Sequence, residues 1–139
     1  MASLIYNSAI DEMARADIDF ELDTFKAMLV TSSYTPNKDT HDFRDDVTNE
    51  VANGNGYTTG GATSTVTVTK DTANDRVTIQ FGAISWASST ITARGCVYYK
   101  SRGGASSADE IIAYNDFGSN VSSTGGTFSV AASTITLQN

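Results

Sequence analysis

The sequence contains very little cysteine, histidine and proline, each of which occurs once in 139 residues. The single cysteine, Cys96, excludes an internal disulfide, and one cysteine with one histidine is too few for a structural zinc site. The only histidine, His41, would be the sole base for a nucleophilic triad, and no Gly-x-Ser-x-Gly turn is present to expose a nucleophile. We therefore expect a protein that is not an enzyme and holds no cofactor.

Positive charge and long apolar runs are also scarce. Nine basic residues stand against sixteen acidic ones, which gives a formal net charge of −7. The electrostatic field of this negative charge would repel phosphate groups, so nucleic acid is not an expected partner. No stretch approaches the roughly 20 apolar residues of a membrane span, and the first residues lack the basic and apolar regions of a signal peptide. We expect a soluble protein, made in a cytoplasm, with no membrane partner.

Hydroxyl side chains supply the polarity that charged residues do not. Threonine and serine together number 35, whereas charged residues make up 18% of the chain. Threonine suits half-exposed strands because it is β-branched, and serine and glycine are common in turns. The length fits one hydrophobic core. The sequence therefore predicts a mainly β fold: a single domain over residues 1–139, a β-sandwich or jelly-roll-like structure with one or two short helices in its N-terminal third.

The acidic residues are concentrated in that N-terminal third. Residues 1–50 contain eleven acidic and four basic side chains, whereas residues 51–139 contain five of each. The chain thus divides into an acidic helix and arm segment (1–50) and a neutral β scaffold (51–139). Such an asymmetry indicates a face that binds a basic partner, with a merely solvated face as the alternative.

Local patterns place elements in the acidic third. Asn7 or Ser8 is a candidate cap for a helix that ends near 15–17, whose apolar face would hold Ile10, Met13 and Ala14. Residues 18–23 alternate apolar and acidic side chains, which predicts an edge strand or extended arm. A buried strand is expected over 25–31. Residues 40–47 predict one or two helical turns capped by Thr40.

Strands dominate the remainder of the chain. The glycine-rich stretch 52–62 predicts a long loop. Strict alternation over 63–70 and 76–81, with turn residues between them, predicts a hairpin. Further strands are expected at 84–86, 91–100, 110–117, 127–131 and 134–137, separated by Gly/Ser segments at 102–108 and 118–126.

Two groups of side chains deserve a chemical interpretation. The cluster from Asp39 to Asp46 is the densest set of oxygen ligands, although it lacks the twelve-residue calcium-loop pattern, so capping and ion pairs with Lys38 or Arg44 are favoured over a metal ion. Trp86, Tyr98, Tyr99 and Tyr114 are candidates for a sugar-stacking platform. Core packing is the favoured interpretation of these aromatics, and alternation predicts that only one of Tyr98 and Tyr99 is exposed. Cys96 is expected to be a core residue.

Several strings carry a family resemblance that extends over nearly the whole chain. They are FKAMLVTSSYTPNKDTH at 25–41, RDDVTNEV at 44–51, GYTTGG at 56–61, WASSTITARG at 86–95, YYK at 98–100, FG at 117–118 and GTF at 126–128. In these the chain resembles a family of small structural proteins of tailed bacteriophages. The resemblance implies a virion component made in the host bacterial cytoplasm, without a catalytic signature.

Among virion components, a head decoration or cement protein fits these features best. Such a protein would sit on the capsid surface, bind the lattice of the major capsid protein and assemble as a homo-oligomer, commonly a trimer. The expected contact residues fall in three groups: Leu4, Ile5 and Tyr6 at the N-terminus; Ile18, Phe20 and Leu22 in the arm, which would add to a neighbour's sheet; and Asp42, Asp45 and Asp46 for electrostatic docking.

Two alternatives stay open from the sequence. One is a tail or spike module that binds a host surface glycan through exposed aromatics and polar loops at 53–61 or 102–108. The other is a glycan-cleaving enzyme, which needs a pair of carboxylates at a set separation. No such pair stands out among the acidic residues, so the enzyme is the least favoured.

Overall fold

The structure is a computed structural model, and it describes residues 3–139. The elements in chain order are β1 (Leu4–Ile5), α1 (Asn7–Ala14), β2 (Phe25–Val30), β3 (Ala62–Ser64), β4 (Val66–Asp71), β5 (Arg76–Phe81), β6 (Ile84–Ser89), β7 (Thr92–Lys100), β8 (Ile111–Ser122), β9 (Gly126–Val130) and β10 (Ser133–Gln138), with 3₁₀ turns at Arg44–Asp46 and Ser106–Ala108. The predicted mainly β, sandwich-like fold with a short helix near the N-terminus is confirmed.

The strands form three antiparallel sheets. The large sheet has five strands in the order β1-β8-β7-β2-β3, the small sheet has three in the order β10-β5-β4, and β6 pairs with β9. The small sheet and the β6–β9 pair lie on one face of the large sheet and enclose the inner core with it. In that core Phe81 stacks on Tyr98 with ring centroids 4.4 Å apart. Trp86 packs edge-on against Phe128, with ring centroids 6.1 Å apart.

The opposite face of the large sheet is buried as well. Strand β2 directs Phe25, Ala27 and Leu29 into the inner core, and Met28 and Val30 into a second cluster on the other side. A strand that is apolar on both faces needs cover on both, because neither face is stable against water. Residues 31–50 supply the second cover.

Both Tyr98 and Tyr99 are therefore buried, so the prediction that one of them is exposed is wrong. Alternation does send them to opposite faces, Tyr98 to the inner core and Tyr99 to the second cluster. Cys96 is buried as expected, and burial raises the pKa of its thiol to about 12.

Helix α1 differs from its prediction at its cap and its buried face. Tyr6 occupies the cap position without a side-chain hydrogen bond, whereas the Asn7 amide is directed to Asp39. Ala9 is buried and Met13 packs on the inner core, while Ile10 is 54% exposed. Ala9 and the half-buried Met13, one turn apart, thus face the core, and the prediction that Ile10 and Ala14 lie on the buried face is wrong because both are exposed.

The arm over 18–23 is not a strand. The carboxylate of Asp19 accepts hydrogen bonds from the backbone N–H groups of Glu21 and Leu22, at 2.9 and 3.2 Å. These side-chain to backbone bonds form a local turn that competes with strand pairing. Strand addition by an extended arm is therefore not available in this conformation.

The remaining strands follow the prediction with three adjustments, one of which is that β6 continues to Ser89, beyond the predicted end at 86. The hairpin is confirmed as β4 and β5, but its first strand breaks at Thr65, so that Ala62–Ser64 joins the large sheet instead. At this crossing Gly82 donates to the Thr65 carbonyl at 2.8 Å, and a Cβ on Gly82 would lie 2.4 Å from Thr65 Oγ1. Strand β8 continues to Ser122, beyond the predicted end at 117, because it stays paired with the start of β7.

Candidate functional site

The acidic cover, defined as residues 31–50, lies across the outer face of the large sheet. Its Tyr34 and Val47 pack with Tyr6 against a set of sheet residues, which are Met28, Val30, Val97, Tyr99, Ile111 and Tyr114. A backbone hydrogen bond from the Thr31 N–H to the Asn49 carbonyl joins its two ends, and the Ile111 N–H of the sheet donates to the Asp42 carbonyl in its middle. The charged segment is therefore an integral layer of the fold.

A chain of hydroxyl and imidazole groups fastens the cover to the N-terminal strand. The hydroxyls of Tyr6 and Tyr34 are 2.8 Å apart, and the Tyr34 hydroxyl is 3.0 Å from His41 Nδ1. Burial raises the pKa of Tyr6 and of Tyr34, so both phenols are neutral donors and acceptors. The only histidine thus has a structural hydrogen bond.

The predicted helical turn is a single 3₁₀ turn over Arg44–Asp46, which is shorter than expected and is not capped by Thr40. The carboxylate of Asp46 accepts hydrogen bonds from the backbone N–H groups of Phe43 and Asp42, at 3.0 and 2.9 Å. The bond from Phe43, followed by that from Asp42, lowers the pKa of Asp46 despite partial desolvation. Asp46 therefore acts as the cap of this turn.

A buried ion pair joins the cover to the start of β8. Arg44 Nε lies 2.8 Å from Asp109 Oδ2, and Asp109 is almost fully buried. The same guanidinium lies 5.1 Å from the centre of the Tyr99 ring, and the backbone N–H of Arg102 donates to Asp109 at 2.8 Å. Since a buried carboxylate is stable only when it is fully partnered, these contacts hold the cover in one position.

A second group of ion pairs ties the turn at 18–23 to the same end of the large sheet. Lys100 Nζ lies 2.8 Å from Asp23 Oδ2 and donates to the Asp17 carbonyl at 2.6 Å. Arg102 binds Glu110 through two nitrogens, the shorter contact being 2.6 Å. Lys100 at the end of β7 therefore anchors the turn at 18–23, and Asp109 in the loop that follows anchors the acidic cover.

Helix α1 also touches the acidic cover. Asn7 Nδ2 donates to Asp39 Oδ1 at 2.7 Å, and the Asn7 backbone donates to the Lys38 carbonyl at 3.0 Å. The helix thus contacts the cover directly, although the helix and the turn at 18–23 pack on the inner core. Across the helix, the turn and the cover, seven acidic residues are exposed: Asp11, Asp17, Asp19, Glu21, Asp39, Asp42 and Asp45.

The predicted contact residues at the N-terminus mostly pack within their own domain. Leu4 and Ile5 form β1, which pairs with Tyr114 and Ala113 of β8, and both are half-buried. Tyr6 is completely buried. Tyr6 is therefore a core residue, and its prediction as a partner contact is wrong because its side chain has no surface to offer.

The three arm residues have different environments. Ile18 is buried in the inner core, and Phe20 stacks on Phe25 with centroids 5.2 Å apart. Leu22, by contrast, is 84% exposed, the largest value among the exposed large apolar residues. The prediction of Ile18 as a contact is wrong for the same reason as for Tyr6, and Leu22 is the arm residue that a partner can reach.

The three aspartates predicted to dock on a partner also differ in exposure and contacts. Asp42 and Asp45 are exposed, and within residues 3–139 neither carboxylate forms an ion pair. Asp46 is half-buried and caps the turn. Asp42 and Asp45 are available to a partner, whereas Asp46 positions them.

Neither a metal site nor a sugar platform is found at the predicted positions. In the described part of the chain, no three carboxylate, histidine or cysteine side chains are placed to hold a metal ion. Lys38 pairs with Asp39 at 2.9 Å, as expected, whereas Arg44 pairs with Asp109. The favoured interpretation of Trp86, Tyr98, Tyr99 and Tyr114 as core residues is confirmed, since all four are buried, and the alternative of a sugar-stacking platform is wrong.

The sequence interpretation missed three charged residues that are buried. Asp109 pairs with Arg44 of the cover, Lys100 holds the turn at 18–23, and Glu110 pairs with Arg102. Their signal was their position, since Lys100 ends one predicted strand and Glu110 begins the next. Glu50 was missed as well: it accepts hydrogen bonds from the Tyr57 hydroxyl at 2.7 Å and from the Gly60 N–H at 2.6 Å, which fixes the glycine-rich loop.

No protein-family model, curated protein or solved structure matches this chain. Within residues 3–139, no helix has the length and apolar character needed to cross a membrane.

Proposed function

We propose that this protein is a non-enzymatic virion protein of a tailed bacteriophage that decorates the capsid. It binds the lattice of the major capsid protein as a homo-oligomer, a trimer in the arrangement expected from the sequence resemblance. The observation that carries the proposal is the acidic cover, which holds Asp42 and Asp45 exposed on a rigid layer. A preformed charged surface suits binding to a basic partner, because little conformational freedom is lost on docking.

The way the cover is held supports a binding role. Exposed carboxylates on a flexible segment would be ordered only on contact, at a cost in entropy. Here the Arg44 to Asp109 pair, the Tyr6 to Tyr34 hydrogen bond and the Asp46 cap fix the segment beforehand. Many copies of such a surface on a lattice would stabilise the head by avidity, even if each contact were weak.

Copy number is the direct test of the capsid assignment. Purified particles would be analysed by quantitative mass spectrometry, with the major capsid protein as the internal reference. Decoration predicts hundreds of copies per particle and loss of the protein from tails separated from heads. A handful of copies, retained on isolated tails, would contradict decoration and favour the tail or spike module that binds a host glycan.

A further inference from the structure

Two hydroxyl groups lie inside the inner core, between the large sheet and the small sheet. Tyr98 of β7 and Ser133 of β10 are both completely buried. Ser133 is the register partner of Phe81, and the Phe81 ring stacks on Tyr98 with centroids 4.4 Å apart. The two hydroxyls are therefore neighbours that come from opposite layers of the sandwich.

Neither hydroxyl is bonded to a protein group. Within residues 3–139 the Tyr98 hydroxyl and Ser133 Oγ have no hydrogen-bond partner, although both atoms are sealed from the protein surface. A buried hydroxyl without a partner destabilises the fold, and in native proteins such groups are nearly always bonded to protein or to an ordered water. Two of them side by side point to a shared partner small enough to fit in the core.

A third polar side chain adjoins this pair. Asn115 of β8 lies opposite Cys96 in the strand register, and Cys96 belongs to the inner core, so the Asn115 amide is on the inner face of the large sheet. Burial raises the pKa of the Tyr98 phenol, and the nearby Asn115 and Ser133 side chains partly offset this shift. The phenol is therefore neutral and can both donate and accept a hydrogen bond.

A cleft leads from the surface toward these groups. It has a volume of about 160 Å³ and lies between Phe117 and Val121 of β8 and Val130 and Ala131, where β9 leads into β10. One water molecule takes up about 30 Å³ in the liquid, so the cleft has room for water. Asn115 lines the cleft and also adjoins the Tyr98 hydroxyl, which gives water a route to the buried pair.

We propose that these side chains bind one ordered water molecule, which bridges the Tyr98 hydroxyl, Ser133 Oγ and the Asn115 amide. Buried waters typically make about three hydrogen bonds to polar groups that lack other partners, and three side chains converge here. Tyr98 and Asn115 belong to the large sheet and Ser133 to the small sheet, so the water joins the two layers through the core. The site does not depend on capsid binding.

The test removes each hydroxyl with little change in packing. Urea denaturation of the full chain would measure the equilibrium constant for unfolding. Y98F and S133A should each raise that constant roughly five- to tenfold, because the bridging water loses a partner and the other hydroxyl is held less well. The double variant Y98F/S133A should stay within about twofold of the larger single effect, since both residues depend on the same water. The control T136A, a hydroxyl on the outward face of β10, should change the constant by less than about threefold.

A high-resolution crystal structure of the full chain supplies the second readout. It should show a water within hydrogen-bond distance of Tyr98 and Ser133, and S133A should displace it or leave it poorly ordered.

Three outcomes would overturn the proposal. Single variants that are neutral or more stable would show that the hydroxyls are unbonded in the native protein, because deleting an unpaired buried hydroxyl removes a cost. Fully additive effects would show that the two residues do not share a partner. A crystal structure in which the two hydroxyls bond directly to each other, with no water between them, would replace the water bridge by a direct bond.

Discussion

The two outer faces of the sandwich differ in what covers them. On the large sheet, outward side chains such as Met28, Val97 and Ile111 are apolar and lie beneath the acidic cover. On the small sheet the outward residues are Thr67, Thr69, Thr78, Gln80, Thr134 and Thr136, and most are exposed. One face therefore holds an added charged layer, whereas the other is a bare strand surface of mainly hydroxyl side chains, with the Asp71–Arg76 ion pair at its hairpin end.

This difference between the two faces explains why the acidic residues lie on the large sheet. A strand that alternates apolar and hydroxyl residues satisfies its outer face with water, so it needs no further layer. The strands β2 and β7 are apolar on both sides and bind the 31–50 segment through the hydrophobic effect. The outward apolar residues of the large sheet thus determine where the acidic residues lie, although those of β7 and β8 are far from the cover in sequence.

The largest expected effect is the loss of apolar contact under the cover. Ile111→Ala should lower the free energy of unfolding by about 2–5 kcal/mol, because Ile111 is completely buried and its truncation leaves a cavity. The matched change on the bare face, Thr136→Ala, should alter it by at most about 0.5 kcal/mol. Urea denaturation measures both. Equal effects would mean that the cover is not part of the cooperative fold.

Loss of the ion pair between the cover and the scaffold should have the second-largest effect on the free energy of unfolding. Arg44→Met leaves the buried Asp109 carboxylate without its guanidinium and should cost about 2–3 kcal/mol in unfolding free energy. Arg94→Met, at the more exposed pair with Asp116, is the control, and we expect a change below about 1 kcal/mol. The comparison separates a buried anchor from a surface pair. A larger loss for the control would reject the anchor role of Arg44.

The tyrosine hydrogen bonds should have a smaller effect. Tyr34→Phe removes the hydroxyl that joins Tyr6 to His41 and should cost about 1–2 kcal/mol, since the Tyr6 hydroxyl loses its partner in a buried site. Tyr114→Phe, in the same cluster, removes a hydroxyl with no hydrogen-bond partner within residues 3–139 and should cost less. Thermal unfolding followed by near-UV circular dichroism would distinguish them.

The smallest of the stability effects is acid sensitivity at the turn. The folded-state pKa of Asp46 is lowered, chiefly by the hydrogen bond from the Phe43 N–H. Its stabilisation is therefore present above the unfolded pKa, near 4, and is lost as the pH falls through the lower folded value. Asp46→Asn should reduce stability at pH 7 by up to about 1 kcal/mol and weaken its pH dependence below 4. The control Asp45→Asn changes an exposed carboxylate with no ion pair within residues 3–139 and should alter stability at pH 7 by less than about 0.5 kcal/mol.

The parts that could be predicted from sequence are those encoded locally. The hairpin of β4 and β5 follows from strict alternation around turn residues, and Cys96 follows from its strand context. The arm at 18–23 shows the same alternation but forms a turn, because the Asp19 side chain bonds to its own backbone. A period-two pattern therefore predicts a strand only where no short polar side chain offers the backbone another partner.

The layout of the candidate site could not be predicted from the sequence, because the residues that contact one another there are distant in sequence. Arg44 meets Asp109 across 65 residues, and Lys100 meets the Asp17 carbonyl across 83. No local pattern specifies such pairs. The burial of both Tyr98 and Tyr99 did have a signal, since the nearly continuous apolar runs of β2 and β7 are typical of strands covered on both faces.

Binding of charge-reversed protein to purified capsids that lack it tests the central claim most directly. D42K/D45K changes the two exposed aspartates and spares the Asp46 cap, so the fold should be retained. The matched control is T69K/T136K, which places the same new side chains on the bare face. We predict that D42K/D45K lowers capsid occupancy at least about tenfold at low salt and that the control leaves it unchanged. Unchanged occupancy for D42K/D45K would contradict docking through the acidic cover.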